Sequence, residues 1–255
     1  MHSDLVLEYK HFEDLESTND FLRTYSTSAD IAVVSASYQT KGRGQMGNTW
    51  VSQHGANLLF SVLLRPQDLK AADAFILSQA MALSIKSVLD PLLADVAVKW
   101  PNDIYCRGKK ICGTLIENGL MGKGVATSII GSGINVNQTA FPDNLAAPAT
   151  SLAIELQAKF SPHQFLHPIV ERFSSYYSYI QQGRYQDIRE EYMSSLYLRG
   201  QQTCFQDNEG TFLGVISHVE PDGHIVILDE SSALRRYAFK QVKFLQASTE
   251  QNNKE

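Results

Sequence analysis

Apolar and polar positions alternate along this chain in two rhythms. "IAVVSASY" (31–38) is a β-branched run of the kind that forms a buried strand. "LVLEYK" (5–10), "ANLLFSVLLR" (56–65) and "DVAVKW" (95–100) also read as strands. "AADAFILSQAMALSIKSVLDPLL" (71–93) has helical periodicity and good helix formers, and Pro91 marks its end. "STND" (17–20) has the form of a capping box, so Ser17 is expected to start a helix that runs to about Tyr25. "CRGKK" (106–110) is a turn between "NDIY" and "KICGTLIEN", which predicts a hairpin. "GLMGKG" (119–124) is a second turn and leads into "VATSIIGSGINVN" (125–137), strand-like with glycines inside. Residues 138–150, with Pro142 and Pro148, read as loop. "SPHQFLHPIVERFSSYYSYIQQ" (161–182) predicts a helix with Ser161 as cap and Pro162 at the first helical position, and 184–196 predicts another.

After about Tyr197 the rhythm changes to short strands, with turns at "DNEG" (207–210), "PDGH" (221–224) and "DESS" (229–232). That spacing predicts a small all-β unit of the size of an SH3-like barrel. The expected fold class is therefore α+β: a mixed sheet packed with helices over 1–193, then a β module over 194–247. The polar tail 248–255 is expected to be disordered.

Composition narrows the function classes. The 255 residues are 44% hydrophobic, enough for a sizeable core. A net charge of −5 argues against a general nucleic-acid binder. Cys106, Cys112 and Cys204 form no C-x-x-C, which fits a reducing, cytoplasmic setting. The N-terminus lacks a signal-peptide pattern, and no window reads as the ~18 apolar residues of a membrane span. The seven histidines form no zinc motif.

"KGRGQMGNTW" (41–50) carries the most chemistry. Gly42, Gly44 and Gly47 have dinucleotide-fingerprint spacing, yet too few residues follow for the required helix. A phosphate-binding P-loop would need a lysine where Asn48 stands. The stretch reads better as a strand–loop–strand clamp, an ordinary hairpin loop being the plain alternative. Its glycines expose backbone N–H groups, Arg43 adds a bidentate donor for carboxylate or phosphate, and Trp50 offers an aromatic wall.

Three further segments join it. "KWPND" (99–103) is turn-forming and brings Asp103, a weak Mg²⁺ candidate taken alone. In "KKICGTLIE" (109–117), strand alternation puts Lys110, Cys112 and Thr114 on one face and Ile111, Gly113 and Leu115 on the other. Gly113 there, and Gly131 and Gly133 in "GSGIN" (131–135), suggest a groove where something lies against bare backbone; paired bulges are the alternative. Cys112 is conceivable as a nucleophile beside Lys110, but a small buried strand residue fits it better.

"STND", "YQTKGRGQMGNTW", "KWPNDIYCRGKKICGTLIE" and "GSGINVN", in that order, resemble the biotin–protein ligase family, also called biotin–[acetyl-CoA-carboxylase] ligases. The resemblance covers most of the chain. It implies a catalytic domain like that of class II synthetases followed by a small SH3-like barrel. It also implies two half-reactions: biotin and ATP, with Mg²⁺, form biotinyl-5′-AMP, and a lysine of a biotin carboxyl carrier protein then takes the biotinyl group. By the same resemblance Ser17, Thr18, Asn19 and Gln39 hold the ureido ring. Gly42, Arg43, Gly44 and Gln45 form the gripping loop, and Lys110 meets the carboxylate and α-phosphate. Trp50, Gly113, Leu115, Gly131 and Gly133 line the biotin pocket. Asn102 and Asn135 lie at the nucleotide, and Asp103 helps hold Mg²⁺. The loop departs from the family's frequent G-R-G-R-R-G, since Gln45 and Met46 stand where arginines are common. The phosphates are then expected to be held less by charge and more by backbone. Some relatives carry an N-terminal DNA-binding domain; here the catalytic pattern starts almost at residue 1, so operator binding is not expected. Exposed sheet edges leave room for a homodimer. Two other readings stay open: a lipoyl or octanoyl carrier-protein ligase or transferase, and a non-catalytic small-molecule sensor.

Overall fold

The computed structural model describes residues 5–142, 145 and 147–245. The expected tail over 248–255 lies outside the described residues. In the first sheet are β1 (Leu7–Leu15), β2 (Ile31–Gln39), β3 (Leu58–Leu64), β4 (Val96–Lys99), β5 (Asp103–Cys106), β6 (Lys109–Met121) and β7 (Gly124–Ile134). The helices are α1 (Thr18–Arg23), α2 (Phe75–Leu89), α3 (Leu152–Leu156), α4 (Leu166–Gln181) and α5 (Tyr185–Ser194). The strand order is β1-β2-β3-β7-β6-β5-β4. Only β1 and β2 are parallel, because α1 forms the crossover between them; every other neighbour is antiparallel.

The two faces of the sheet differ. Leu58, Phe60, Val62 and Leu64 of β3 join Ile130 and Ile134 of β7 in the main core. The opposite face holds a smaller cluster of Leu22, Ala32, Val34, Leu63 and Ile129 beneath α1. On the main face, 11 of the 15 residues of α2 are buried, so this helix is wedged between the sheet and α4 and α5. Ala71–Leu89 is in fact apolar and long enough to cross a membrane, contrary to the expectation that no stretch approaches a span; burial in this core accounts for its composition.

Other expectations need adjusting. β1 runs to Leu15, not Lys10, pairing along β2 as far as Gln39. Its polar residues hid it, because an edge strand keeps one face half-exposed. Ser161 precedes a 3₁₀ turn, Pro162–Phe165, before α4 begins, and its side chain makes no capping bond. The capping box at Ser17 is half-formed: Ser17 Oγ accepts from Asp20 N at 3.4 Å, while the Asp20 carboxylate is turned towards Arg23 and Arg43.

The second sheet is antiparallel throughout, in the order β11-β10-β9-β8-β12. Its strands are β8 (Thr203–Gln206), β9 (Thr211–Val219), β10 (Ile225–Asp229), β11 (Leu234–Tyr237) and β12 (Lys243–Leu245). It docks beside β4. Trp100 Nε1 donates to Gly223 O at 2.9 Å, and the Lys99 ammonium lies 4.1 Å from the centre of the Phe244 ring. Leu196 pairs with Val98 on the way into this module.

Candidate ligand-binding site

The site lies on the α1 face of the sheet, where two central strands, β6 and β7, lose their side chains. Gly113 on β6 pairs with Gly133 on β7, and Leu115 pairs with Gly131. A Cβ on Gly133 would sit 2.4 Å from the Trp50 indole, and one on Gly131 would sit 2.1 Å from Asn19 Oδ1. The bare backbone is thus already used, by Trp50 from the loop and Asn19 from α1.

Lys110 reaches this floor by a route that alternation does not give. Ile104 pairs with Cys112 but Tyr105 with Lys110, so Ile111 is the extra residue of a β-bulge. The bulge turns Lys110 away from the face of Cys112 and Thr114, where it was expected, and onto that of Gly113. A Cβ on Gly113 would meet Lys110 Cε at 2.9 Å and Nζ at 3.0 Å. Lys110 Nζ pairs with Asp103 Oδ2 at 2.8 Å and lies 6.0 Å from the Trp50 ring centre. Lys99, the register partner of Asp103, continues the row towards Phe244. Burial pushes its ammonium down to about 8; Asp103 offsets part of this and Lys110 adds to it.

Beneath α1 runs a polar network in otherwise apolar surroundings. Gln39 Oε1 accepts from Thr18 N (2.7 Å) and Thr18 Oγ1 (3.1 Å). Ser61 Oγ lies 2.6 Å from both Thr18 Oγ1 and Asn19 Oδ1. Asn19 Nδ2 donates to Glu117 Oε2 at 2.8 Å. Ser17, Thr18, Asn19 and Ser61 are all buried. Such groups persist in a core only when hydrogen-bonded, so the network holds these side chains in place beside Gly131.

The loop is tied down by three side chains. Gln45 Nε2 donates to Asn102 Oδ1 (3.0 Å) and to Thr114 O (3.2 Å), and Asn102 Nδ2 donates to the same carbonyl. Trp50 covers the glycines. Arg43 does not face an open cleft as an unpaired cation: Glu117 accepts from both its terminal nitrogens, at 3.0 and 3.3 Å, and Asp20 lies 2.9 Å from Nη2. Burial by itself would raise the pKa of Glu117. Hydrogen bonds from Asn19, Arg23 and Arg43, with the charge of Arg43, outweigh it and hold the carboxyl below its ordinary range. Between the loop, Leu115 and Glu117 lies a cleft of about 500 Å³ that Gly42, Arg43, Gly44 and Gly47 also line.

Among the described residues, two buried donors here have no partner, Arg43 Nε and Trp50 Nε1. Unpaired buried N–H groups are rare, and these two lie on one loop. Asn135 is less available than expected: it is buried, and its Nδ2 donates to Thr150 O at 3.0 Å.

Sequence reasoning missed Ser61 and Glu117. Ser61 is the one hydroxyl within "LLFSVLL", a polar atom at a fully buried position, which was a usable signal. Glu117 stands at even spacing from Gly113 and Leu115, so plain alternation already placed it on the glycine face.

Comparison with known proteins agrees with this geometry. The biotin/lipoate A/B protein ligase family model matches residues 12–135. The chain is 30% identical over 207 residues to the bifunctional ligase/repressor BirA of Bacillus subtilis, covering 80% of this chain and 63% of that protein. It thus spans less than two thirds of that relative's length. It is 27% identical over 223 residues to a biotin–[acetyl-CoA-carboxylase] ligase of Paracoccus denitrificans, covering 80% and 91%. The structure of the Aquifex aeolicus biotin protein ligase in complex with biotin and ATP superposes with a TM-score of 0.78 at 26% identity, covering 94% of this chain and 99% of that one. With its mixed sheet, glycine floor and loop, the chain is similar to biotin protein ligases in sequence and in fold, and its residues 12–135 match the biotin/lipoate A/B protein ligase family.

Proposed function

We propose that this chain is an ATP-dependent ligase that activates biotin as biotinyl-5′-AMP and transfers it to a lysine of a biotin carboxyl carrier protein. The observation that carries this reading is Lys110, which the Ile111 bulge sets against the Gly113–Gly133 floor opposite the loop. Joining a carboxylate to a phosphate needs fixed positive charge where the two anions meet, and there Lys110 supplies it. The Thr18–Gln39–Ser61–Asn19 network, beside Gly131, offers donors and acceptors suited to a ureido group. The buried Nε–H of Arg43, with no partner among the described residues, is a donor for the carboxylate or phosphate.

Asp103 brings one carboxylate to the site, already paired with Lys110. A single carboxylate suits a Mg²⁺ that arrives on the triphosphate and keeps most of its ligands there, where the ion would offset phosphate charge. A closed loop shields the mixed anhydride from water. A cytoplasmic location is part of this proposal, since the carrier and ATP must both be within reach.

The reading is tested by biotin-dependent exchange of pyrophosphate into ATP, followed by mass spectrometry of a carrier domain incubated with protein, biotin and ATP. Exchange and a biotin-sized mass increase are expected. Ligand binding without either would make the chain a sensor, and modification by lipoate or octanoate alone would move it to the sister activities.

A further inference from the structure

The guanidinium of Arg43 is held from two sides by carboxylates that differ in kind. Glu117 takes the outer fork, Nη1 at 3.3 Å and Nη2 at 3.0 Å, and is itself fixed by Asn19 at 2.8 Å and by Arg23. Asp20 meets Nη2 alone, at 2.9 Å, and is 40% exposed in its side chain against 25% for Glu117. The remaining edge of the guanidinium carries Nε, which is buried and has no partner among the described residues. One edge is therefore locked, and the other is half-covered by a solvent-exposed acid.

We propose that Glu117 is the positioning residue that presents the Nε edge of Arg43 to a ligand carboxylate or phosphate, and that Asp20 is a placeholder which the incoming anion displaces. A fork locked by Glu117 leaves Arg43 one productive edge and removes the entropy cost of orienting it during binding. An anion on that edge completes the unsatisfied Nε and replaces a single contact to Asp20 with a bidentate one. This inference rests on the ligase reading for the identity of the anion, but not for the hold on Arg43.

The two acids are expected to act in opposite directions. Glu117→Ala is expected to weaken biotin binding by roughly tenfold, as for a lost charge-assisted contact. It should leave the neutral alcohol analogue of biotin nearly unaffected, and Glu117→Gln, which keeps an acceptor, should restore part of the loss. Asp20→Asn is expected to tighten biotin severalfold. Calorimetric titration reads these constants. Equal weakening by both substitutions would make the cluster a structural network and overturn the assignment, as would equal loss of biotin and its alcohol in Glu117→Ala. Trypsin cleavage after Arg43, mapped by mass in ligand-free protein, is the arm that needs no ligand. Glu117→Ala should accelerate it severalfold and Asp20→Asn should do so less. Unchanged cleavage overturns the inference whatever the protein binds, whereas accelerated cleavage with no biotin binding in the wild type fails the ligase reading alone.

Discussion

Lys110 lies against Gly113, three residues further along the same strand, because Ile111 is squeezed out of register between them. In an unbulged strand these two residues would point to opposite faces. The bulge therefore supplies the site with its lysine, while Ile111 itself is fully buried in the main core. Lys110 already has Asp103 as a partner, so in the proposed reaction its contribution is charge that is placed before the substrates arrive. Lys110→Ala is expected to lower biotin-dependent pyrophosphate exchange by about two to three orders of magnitude, with a small effect on thermal stability. A near-wild-type rate would remove Lys110 from that role.

The glycine floor makes a graded prediction. None of Gly113, Gly131 and Gly133 has the left-handed backbone that demands glycine, so each is required for space. At Gly131 the obstacle is Asn19, which Ser61 and Glu117 hold in place and which has nowhere to go. Gly131→Ala should cost about 1–3 kcal/mol as an overpacked site and lower the melting temperature accordingly. At Gly133 the obstacle is Trp50, carried on the loop, so Gly133→Ala should lift the loop with less loss of stability. Acrylamide quenching separates the cases, because the only other tryptophan, Trp100, is buried. More quenching is expected in Gly133→Ala, and equal quenching in both variants would count against this division.

Much of this was legible in the sequence, for identifiable reasons. The apolar runs of β2 and β3 and the long periodic helix state their burial directly, and "CRGKK" gives a hairpin whose Arg107 and Gly108 both adopt positive φ. Gly113, Gly131 and Gly133 pointed to bare backbone with something lying against it, and the side chains of Lys110, Trp50 and Asn19 lie there. Two things were hidden. A bulge leaves no compositional mark, so strict alternation put Lys110 on the wrong face. Arg43 reads as a free anion grip because its counter-charges, Asp20 and Glu117, come from an element before the loop and a strand about seventy residues after it. Gln45 is the converse case: where relatives often carry an arginine it ties the loop to Asn102 and the Thr114 carbonyl, a role that only the folded geometry displays.

Cys112 is poorly placed for acyl transfer through a thioester. Its thiol is fully buried on the core face, and burial, with the nearby Asp103 charge, drives its pKa far above the ordinary thiol range despite Lys110. A nucleophilic cysteine needs a thiolate and access, and Cys112 has neither. Cys112→Ala is expected to keep exchange activity within a few-fold, at a stability cost of roughly 1 kcal/mol for the lost packing. In the native protein the Cys112 thiol should resist aqueous alkylating agents. Loss of all activity with an intact fold would revive the transferase reading.

The β module carries its own acid sensitivity. Asp229 accepts from Ser231 Oγ at 2.6 Å, Arg235 Nε at 2.7 Å, and Ala233 N and Ser231 N at 2.9 Å each, and these bonds hold its carboxyl far below the ordinary range. Asp207 is lowered in the same way, first by the Tyr237 hydroxyl at 2.6 Å and then by the Glu209 and Gly210 amides. A carboxylate whose folded pKa is depressed stabilises the fold fully above its unfolded pKa, and that contribution disappears as pH falls through the folded value. The module should therefore be unaffected between about pH 6 and 8 and weaken progressively below about pH 4. Hydrogen exchange of residues 203–245, corrected for intrinsic rates, measures this as falling protection. Asp229→Asn should reduce protection at neutral pH, and the gap between variant and wild type should close as the pH is lowered. A gap that stays constant down to pH values near 2 would mean that the geometry of the side chain, and not its charge, holds the turn between β10 and β11.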